Sequence, residues 1–300
     1  MTAFTVHRNG EQFYSAELGA IRGATSSIHL EAFIFHENPI GVQFLEALIE
    51  RALAGVKVRV IVDAVGSMLT TDHFFDALRC AGAHVMWYQP LRWYTLKRFN
   101  NRTHRELIIV DGKVGYIGGA GIASAWDTGD HGLPPWRDTM VDVRGPVVNM
   151  LQSVFIENWL ESSGELLADQ NVFPSDPAGD AFSINEKRPS LIVGSSPTGG
   201  RATRARILFQ LLIAAARKTI CINSPYFLPD KAMRRELCEA AGKGVSVIVI
   251  TPGQHNNHPM TRHASRSVYG ELLESGIDIF EYMPGMIHAC FRSSCRGICC

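Results

Sequence analysis

Apolar positions Ile40, Leu45, Leu48, Ile49, Ala52 and Leu53 recur at the spacing of one helix face, and Gly55 supplies the stop. Val56 to Val62 alternates and then turns fully apolar, the pattern of a strand entering a buried sheet, with Asp63 and Gly66-Ser67 as its exit loop. Thr71-Asp72 can cap a short helix bearing Phe74, Phe75 and Leu78 that stops near Gly82, and Val85-Met86-Trp87-Tyr88 reads as the next strand. Leu107 to Val110 predicts a buried strand, and Asp111-Gly112 a tight hairpin turn into Val114 to Ile117. Strand and helix alternate, so the fold class predicted is α/β.

The order repeats in the second half. Ser27-Ile28-His29-Leu30 corresponds to Thr219-Ile220-Cys221-Ile222, an offset of 219 − 27 = 192. Ala54-Gly55-Val56 corresponds to Lys243-Gly244-Val245 (243 − 54 = 189), and Ala81-Gly82-Ala83 to Ser275-Gly276-Ile277 (275 − 81 = 194). Each half then reaches a histidine beyond a proline, His104 in the first and His288 in the second. Such a pattern is an internal duplication. Asp169 to Ser190 is rich in Asp, Pro, Gly and Ser without periodicity, which predicts a first lobe over 1–168, a linker over 169–190 and a second lobe over 191–300.

Composition narrows this little. The 300 residues are 46% hydrophobic and 19% charged, the usage of a folded chain, and 29 Lys+Arg balance 29 Asp+Glu, so an anion site must be local. The longest apolar run, Ile207 to Ala216, contains Gln210 and is too short to span a bilayer, and the polar start MTAFTVHRNGEQFYSAE does not read as a signal peptide. Cys80, Cys221 and Cys238 are expected to be small buried side chains in a reducing cytosol. Cys290, Cys295, Cys299 and Cys300 crowd the last eleven residues, where the periodicity stops, and that tail reads as foreign to the chain before it.

Residues 100–119 read NNRTHRELIIVDGKVGYIGG, with His104 and Glu106 on one strand face. Alone, Asp111-Gly112 is a hairpin turn and His104 serves equally as a structural histidine. A strand-borne histidine in each half of a duplicated α/β chain resembles the phospholipase D superfamily, whose signature is His-x-Lys-x-x-x-x-Asp followed by a Gly-Gly or Gly-Ser loop. Further segments bring it near the bacterial cardiolipin synthases: Leu30 to Phe35, Thr103-His104-Arg105, Asp111-Gly112-Lys113, Gly118-Gly119, Pro135 to Asp138, Arg144 to Val147, Ser224 to Phe227 and Pro284 to Ala289.

The resemblance covers roughly Glu11 to His288 and implies a duplicated phospholipase D-like fold, two mixed-sheet lobes with flanking helices whose histidines meet at the lobe interface. It implies phosphatidyl transfer between phosphatidylglycerols, in which one histidine forms a phosphohistidine and the other protonates the departing alcohol. His104 and His288 are carried over as this pair, with Asp111 as the motif carboxylate and Arg102, Gly118, Gly119, Arg137 and Asp138 as phosphate-binding residues. No cofactor is implied, and no metal.

Departures from the family pattern matter as much. The motif lysine is replaced by Glu106 in the first half and Cys290 in the second. A carboxylate about 4 Å from a phosphate oxygen is repulsive by about 4 kcal/mol at an effective dielectric near 20, where the lysine would attract by a similar amount. Beyond Cys290 the apolar strand, Asp and glycine loop of the signature are missing, so the second lobe is expected to be incomplete and transfer impaired. An out-of-frame ending and a non-catalytic lipid-binding descendant both account for this, and Glu106→Lys alone is not expected to restore transfer.

Pro90 to Arg105 carries five Arg or Lys and no acid, interleaved with Trp93, Tyr94 and Phe99, a composition suited to anionic headgroups at a membrane interface. The same pattern accepts nucleic-acid phosphates, so a phosphodiesterase or nuclease is the competing activity, although nucleic acid has no part in the main reading. His255, Asn256, Asn257, His258 and His263 form a polar loop without carboxylate or cysteine at ligand spacing, so it is not read as a metal site. The expected location is peripheral, on the cytoplasmic face of a bacterial inner membrane, through surface such as Arg92 and Trp93.

Overall fold

The computed structural model describes residues 2–90, 102–129, 132–168, 172–174, 190–194, 203–289, 291–294 and 298–299. Trp93 and Arg92, most of the expected linker, and Cys290, Cys295 and Cys300 lie outside the described residues. Two compact units form, residues 1–128 with 139–192 and residues 129–138 with 193–300, so a ten-residue excursion from the first half belongs to the second unit.

In the first unit the order is β1 (Ala3–Arg8), α1 (Asn9–Arg22), β2 (Ser27–Ala32), α2 (Pro39–Leu53), β3 (Lys57–Asp63), a 3-10 turn (Asp72–Phe75) running into α3 (Asp76–Cys80), β4 (His84–Tyr88), β5 (Glu106–Val110), β6 (Val114–Gly118), α4 (Ser124–Asp127), β7 (Thr139–Arg144) and α5 (Val147–Ser163). They build a seven-stranded sheet ordered β1-β7-β6-β5-β2-β3-β4. β2, β3 and β4 are parallel, and β5 runs antiparallel against β2. All six residues of β2 are buried, including Ser27, His29 and Glu31, because helices cover both faces of a central strand. α2 starts on Asn38, whose side chain accepts from the Gly41 amide at 3.1 Å, with Pro39 inside the first turn. Leu151, Phe155 and Trp159 of α5 fill the core over β5.

The second unit has α6 (Arg204–Ala215), β8 (Thr219–Asn223), α7 (Lys231–Gly242), β9 (Ser246–Pro252), α8 (Pro259–Arg266), α9 (Tyr269–Glu274), β10 (Asp278–Tyr282), β11 (Phe291–Ser294) and β12 (Ile298–Cys299), in a sheet ordered β10-β9-β8-β11-β12. The duplication is visible in register. Ser27 pairs with Lys57 and Thr219 with Ser246, both in parallel pairs. Glu31 of β2 faces Leu107 of β5, and Asn223 of β8 faces Phe291 of β11, both in antiparallel pairs. The second correspondence is 291 − 107 = 184, which is also 288 − 104. The two histidines therefore occupy one position of the repeat, three residues before equivalent strand positions.

Three expectations need correction. The strand thought to be missing after Cys290 is present as the short β11, because pairing with the open edge of β8 needs only backbone groups and no apolar pattern. The expected linker contributes Val172, 1% exposed in the first unit's core, and Pro174, whose ring fills the space beside Gly112. Cys80, expected to be buried, is exposed, since it closes a five-residue helix at the solvent side of the turn to Gly82, while Cys221 and Cys238 are partly covered.

α1 also buries a carboxyl group. Glu17 is 2% exposed, its Oε1 has no hydrogen-bond partner among the described residues, and burial pushes its pKa well above the ordinary 4.5. The folded chain therefore holds a proton that the unfolded chain releases, and stability falls as pH rises above the unfolded value. Glu17→Gln is expected to stabilise the chain at pH 7 by on the order of 1 kcal/mol. The gain should shrink as denaturant melts are repeated toward pH 4.5; a gain independent of pH would assign it to packing instead.

Candidate active site

In the first unit, chemistry-bearing residues collect where the parallel strands end, the usual binding edge of such sheets. His104 lies just ahead of β5, exposed, with its ring centroid 4.3 Å from that of Phe33. Desolvation holds its pKa below the ordinary 6.5, against the opposing pull of Asp63. Its ring has no hydrogen-bond partner among the described residues.

Its neighbours are fixed instead. The Thr103 amide donates to Asp63 Oδ2 at 3.1 Å, and the Thr103 hydroxyl donates to Glu31 Oε1. Asn158 Nδ2 donates to the same Glu31 oxygen at 2.6 Å, and Arg105 Nη1 lies 3.8 Å from it while donating to the Val154 carbonyl. Glu31 and Asp63 are fully buried, and burial raises both pKa values against the pull of Arg105 on one and Arg102 on the other. Arg102, expected on phosphate, is 7% exposed at its side chain, donates to the Gln89 carbonyl at 2.8 Å and lies 3.8 Å from Asp63. In this unit it braces the loop that carries His104.

Glu106 is 7% exposed, and its Oε1 accepts from the Ile34 amide at 3.1 Å. On the sheet it stands between Ala32 of β2 and Gly118 of β6, two residues from His104. Gly118 has a packing reason beyond any phosphate: a Cβ there would come within 2.2 Å of Met140 Sδ and 2.5 Å of the Thr139 carbonyl. Gly119 continues the chain directly past that strand end.

Asp111 departs most from expectation. It sits at the opposite end of β5, seven residues or ~20 Å along an extended strand from His104. Its φ is 54°, and its carboxylate accepts from the amides of Thr25, Ser26 and Ser27 and from the Thr25 hydroxyl. It ties the β5–β6 turn to the start of β2, a turn residue as its Asp-Gly context alone suggested, and not a group beside a reacting phosphate.

In the second unit, His288 Nδ1 lies 2.9 Å from Asp138 Oδ2, and Asp138 is fully buried. The carboxylate can only accept, so Nδ1 carries the proton there. Arg137 contributes through its backbone: its amide donates to the Met286 carbonyl, and its carbonyl accepts from the His288 amide, both at 2.8 Å. The rings of Trp136 and Tyr226 flank His288 with centroids 5.7 and 6.0 Å away.

A family model described as cardiolipin synthase, PLD-like domain, matches residues 18–127 and 210–292, which take in His104 and His288. The chain belongs to this family. Curated members include the probable cardiolipin synthase YwiE of Bacillus subtilis (strain 168), 32% identical over 284 residues, and the cardiolipin synthase of Alkalihalophilus pseudofirmus, 33% identical over 282. The matches cover 94% of this chain, which spans about half the length of these curated relatives (55%). Among solved structures, a phosphatidylserine synthase from Haemophilus influenzae Rd KW20 aligns over 98% of this chain and 75% of its own, with a TM-score of 0.70 at 14% identity. The likeness is one of fold, and it agrees with a duplicated phospholipase D-like architecture of mixed sheets.

The sequence put both histidines and Asp138 forward as site residues and gave no role beside His104 to Asp63 or Asn158. Asp63 carried a signal, a lone acid closing an apolar strand. Asn158 is one polar residue in an amphipathic helix, and only packing brings it to Glu31. If Asp111 is a structural anchor, Asp111→Ala should lower stability by about 1–3 kcal/mol in chemical denaturation and leave the His104 titration unmoved. A shifted His104 resonance in the folded variant would return Asp111 to the site.

Proposed function

We propose that the chain carries out phosphatidyl transfer through a phosphohistidine, with two phosphatidylglycerols giving cardiolipin and glycerol. What supports this reading is the repeat register, which gives His104 and His288 one structural position, in a family of cardiolipin synthase-like domains. His104, kept neutral by its lowered pKa, is the nucleophile: its ring nitrogen attacks phosphorus, the N–P bond forms and the P–O bond to glycerol breaks. His288, aligned by Asp138, gives its proton to the departing glycerol oxygen. It then takes the proton of the incoming glycerol hydroxyl, which attacks phosphorus and frees His104. The step calls for no cofactor.

Glu106 sets the rate. A buried carboxylate two residues from the nucleophile repels the phosphate that a lysine would hold, so turnover is slow. The substrate is a bilayer lipid, and no helix among the described residues is long and apolar enough to cross a membrane. We assign the chain to peripheral contact with anionic phospholipid, at the cytoplasmic face of the bacterial inner membrane.

Glycerol release from phosphatidylglycerol by the full chain is the test. His104→Ala and His288→Ala should each abolish it, and an acid-labile, base-stable phosphoryl label on His104 should be trapped after glycerol departs and before the incoming hydroxyl attacks. Release unaffected by either change would remove the reading. The acid limb of the rate profile should fall below pH 6.5, following the lowered pKa of His104. Glu106→Gln retains an acceptor for the Ile34 amide and removes the charge, so it should raise turnover at least about tenfold, within the roughly 4 kcal/mol of repulsion. Equal turnover with unchanged stability would confine Glu106 to holding Ile34.

A further inference from the structure

Gly253 to Arg266, which includes the histidine-rich stretch left without a role, contains His255, His258, Arg262, His263 and Arg266 and no Asp or Glu. Met260 projects from the first turn of α8 and is 88% exposed, more than any other large apolar side chain among the described residues. The exposure is built in. Asn256 Oδ1 accepts from the His258 amide at 2.6 Å, Tyr226 donates to Asn257 Oδ1 at 3.0 Å, and Ser265 donates to the buried Phe227 carbonyl. The Tyr226 ring touches both His258 and His288, with centroids 5.3 and 6.0 Å away, so the segment adjoins the His288 site. Arg262 and Arg266 share the single carboxylate of Glu281 at 3.3 Å each, which leaves a net positive face.

The first unit repeats the design. Its loop after β3, the repeat counterpart of β9, exposes Met68 (69%) and Leu69 (76%) between the buried Ser67 and Thr70. The Ser67 hydroxyl donates to the Phe33 carbonyl and that of Thr70 to the Phe35 carbonyl, so the two apolar tips stand on an anchored loop. Fixed, exposed apolar side chains beside a catalytic histidine fit an interface in which the tip enters hydrocarbon and cations meet phosphate.

We propose that Gly253–Arg266, with Met260 at its tip, is the surface through which this unit rests on a bilayer bearing anionic phospholipid. The inference deepens the transferase reading and rests on it for the choice of lipid. Its test uses the full chain with vesicles of equal phosphatidylglycerol and phosphatidylcholine, and with phosphatidylcholine alone. Amide hydrogen exchange over 254–266 should slow on the anionic vesicles and not on the neutral ones. Met260→Asp, at an exposed position that leaves the fold intact, should weaken sedimentation with anionic vesicles about tenfold. Unchanged exchange over the segment, or binding within twofold of the parent chain in Met260→Asp, overturns the proposal. Protection and binding without any glycerol release sustain the surface and remove the transferase reading. Glycerol release from dispersed short-chain phosphatidylglycerol without vesicle protection does the reverse.

Discussion

A fully buried carboxylate in the middle of a covered sheet must be satisfied, and around Glu31 that requirement organises the first unit. β2 is buried along its whole length, so its one charged side chain draws three partners: Thr103 and Arg105 from the loop before β5, on either side of His104, and Asn158 of α5. An ionised group left unpaired in such a place is strongly destabilising. Residues on either side of His104 are therefore pinned inward, and the imidazole between them is turned outward. Asp63 repeats the device from the next strand by accepting the Thr103 amide. His104 is presented by its neighbours without a bond to its own ring.

The second unit reaches the same position by another route. Where the first has Glu31, Thr103 and Arg105, the repeat has Asn223, Ile287 and Ala289, so no ionic network can form there. Asn223 Oδ1 is buried without a hydrogen-bond partner among the described residues, a remnant of the pattern without its partners. His288 is held directly, by Asp138 on its ring and by the Arg137 carbonyl on its amide. One repeat thus leaves its imidazole neutral and unclaimed while the other orients a proton on its partner.

Glu106 and Asp111 show that a motif position, changed in one case and kept in the other, takes its role from what surrounds it. Glu106 stands at the lysine's position but accepts from the Ile34 amide through its carboxylate, a contact that serves the fold. Asp111 matches the motif and yet lies at the far end of the strand, where four hydrogen bonds make it a joint between a turn and β2. A fixed spacing along a strand says which end a residue occupies, and the five residues of β5 lie between His104 and Asp111.

The duplication, the α/β class, most strands, α2 and the paired histidines were legible in the sequence because each rests on local periodicity or on a motif read twice. The Asp138 partner to His288 was suggested by a matching segment, although nothing local required the 2.9 Å contact. Backbone pairing decided β11, since an open strand edge recruits a neighbour whatever its side chains. Burial decided Arg102, Asn158, Glu17 and Val172, because what a polar or apolar group does depends on which distant element covers it. Sequence by itself determined which residues recur in the two halves; the tertiary structure decided which of them are presented outward and which hold the others, since desolvation acts only once the chain has folded around them.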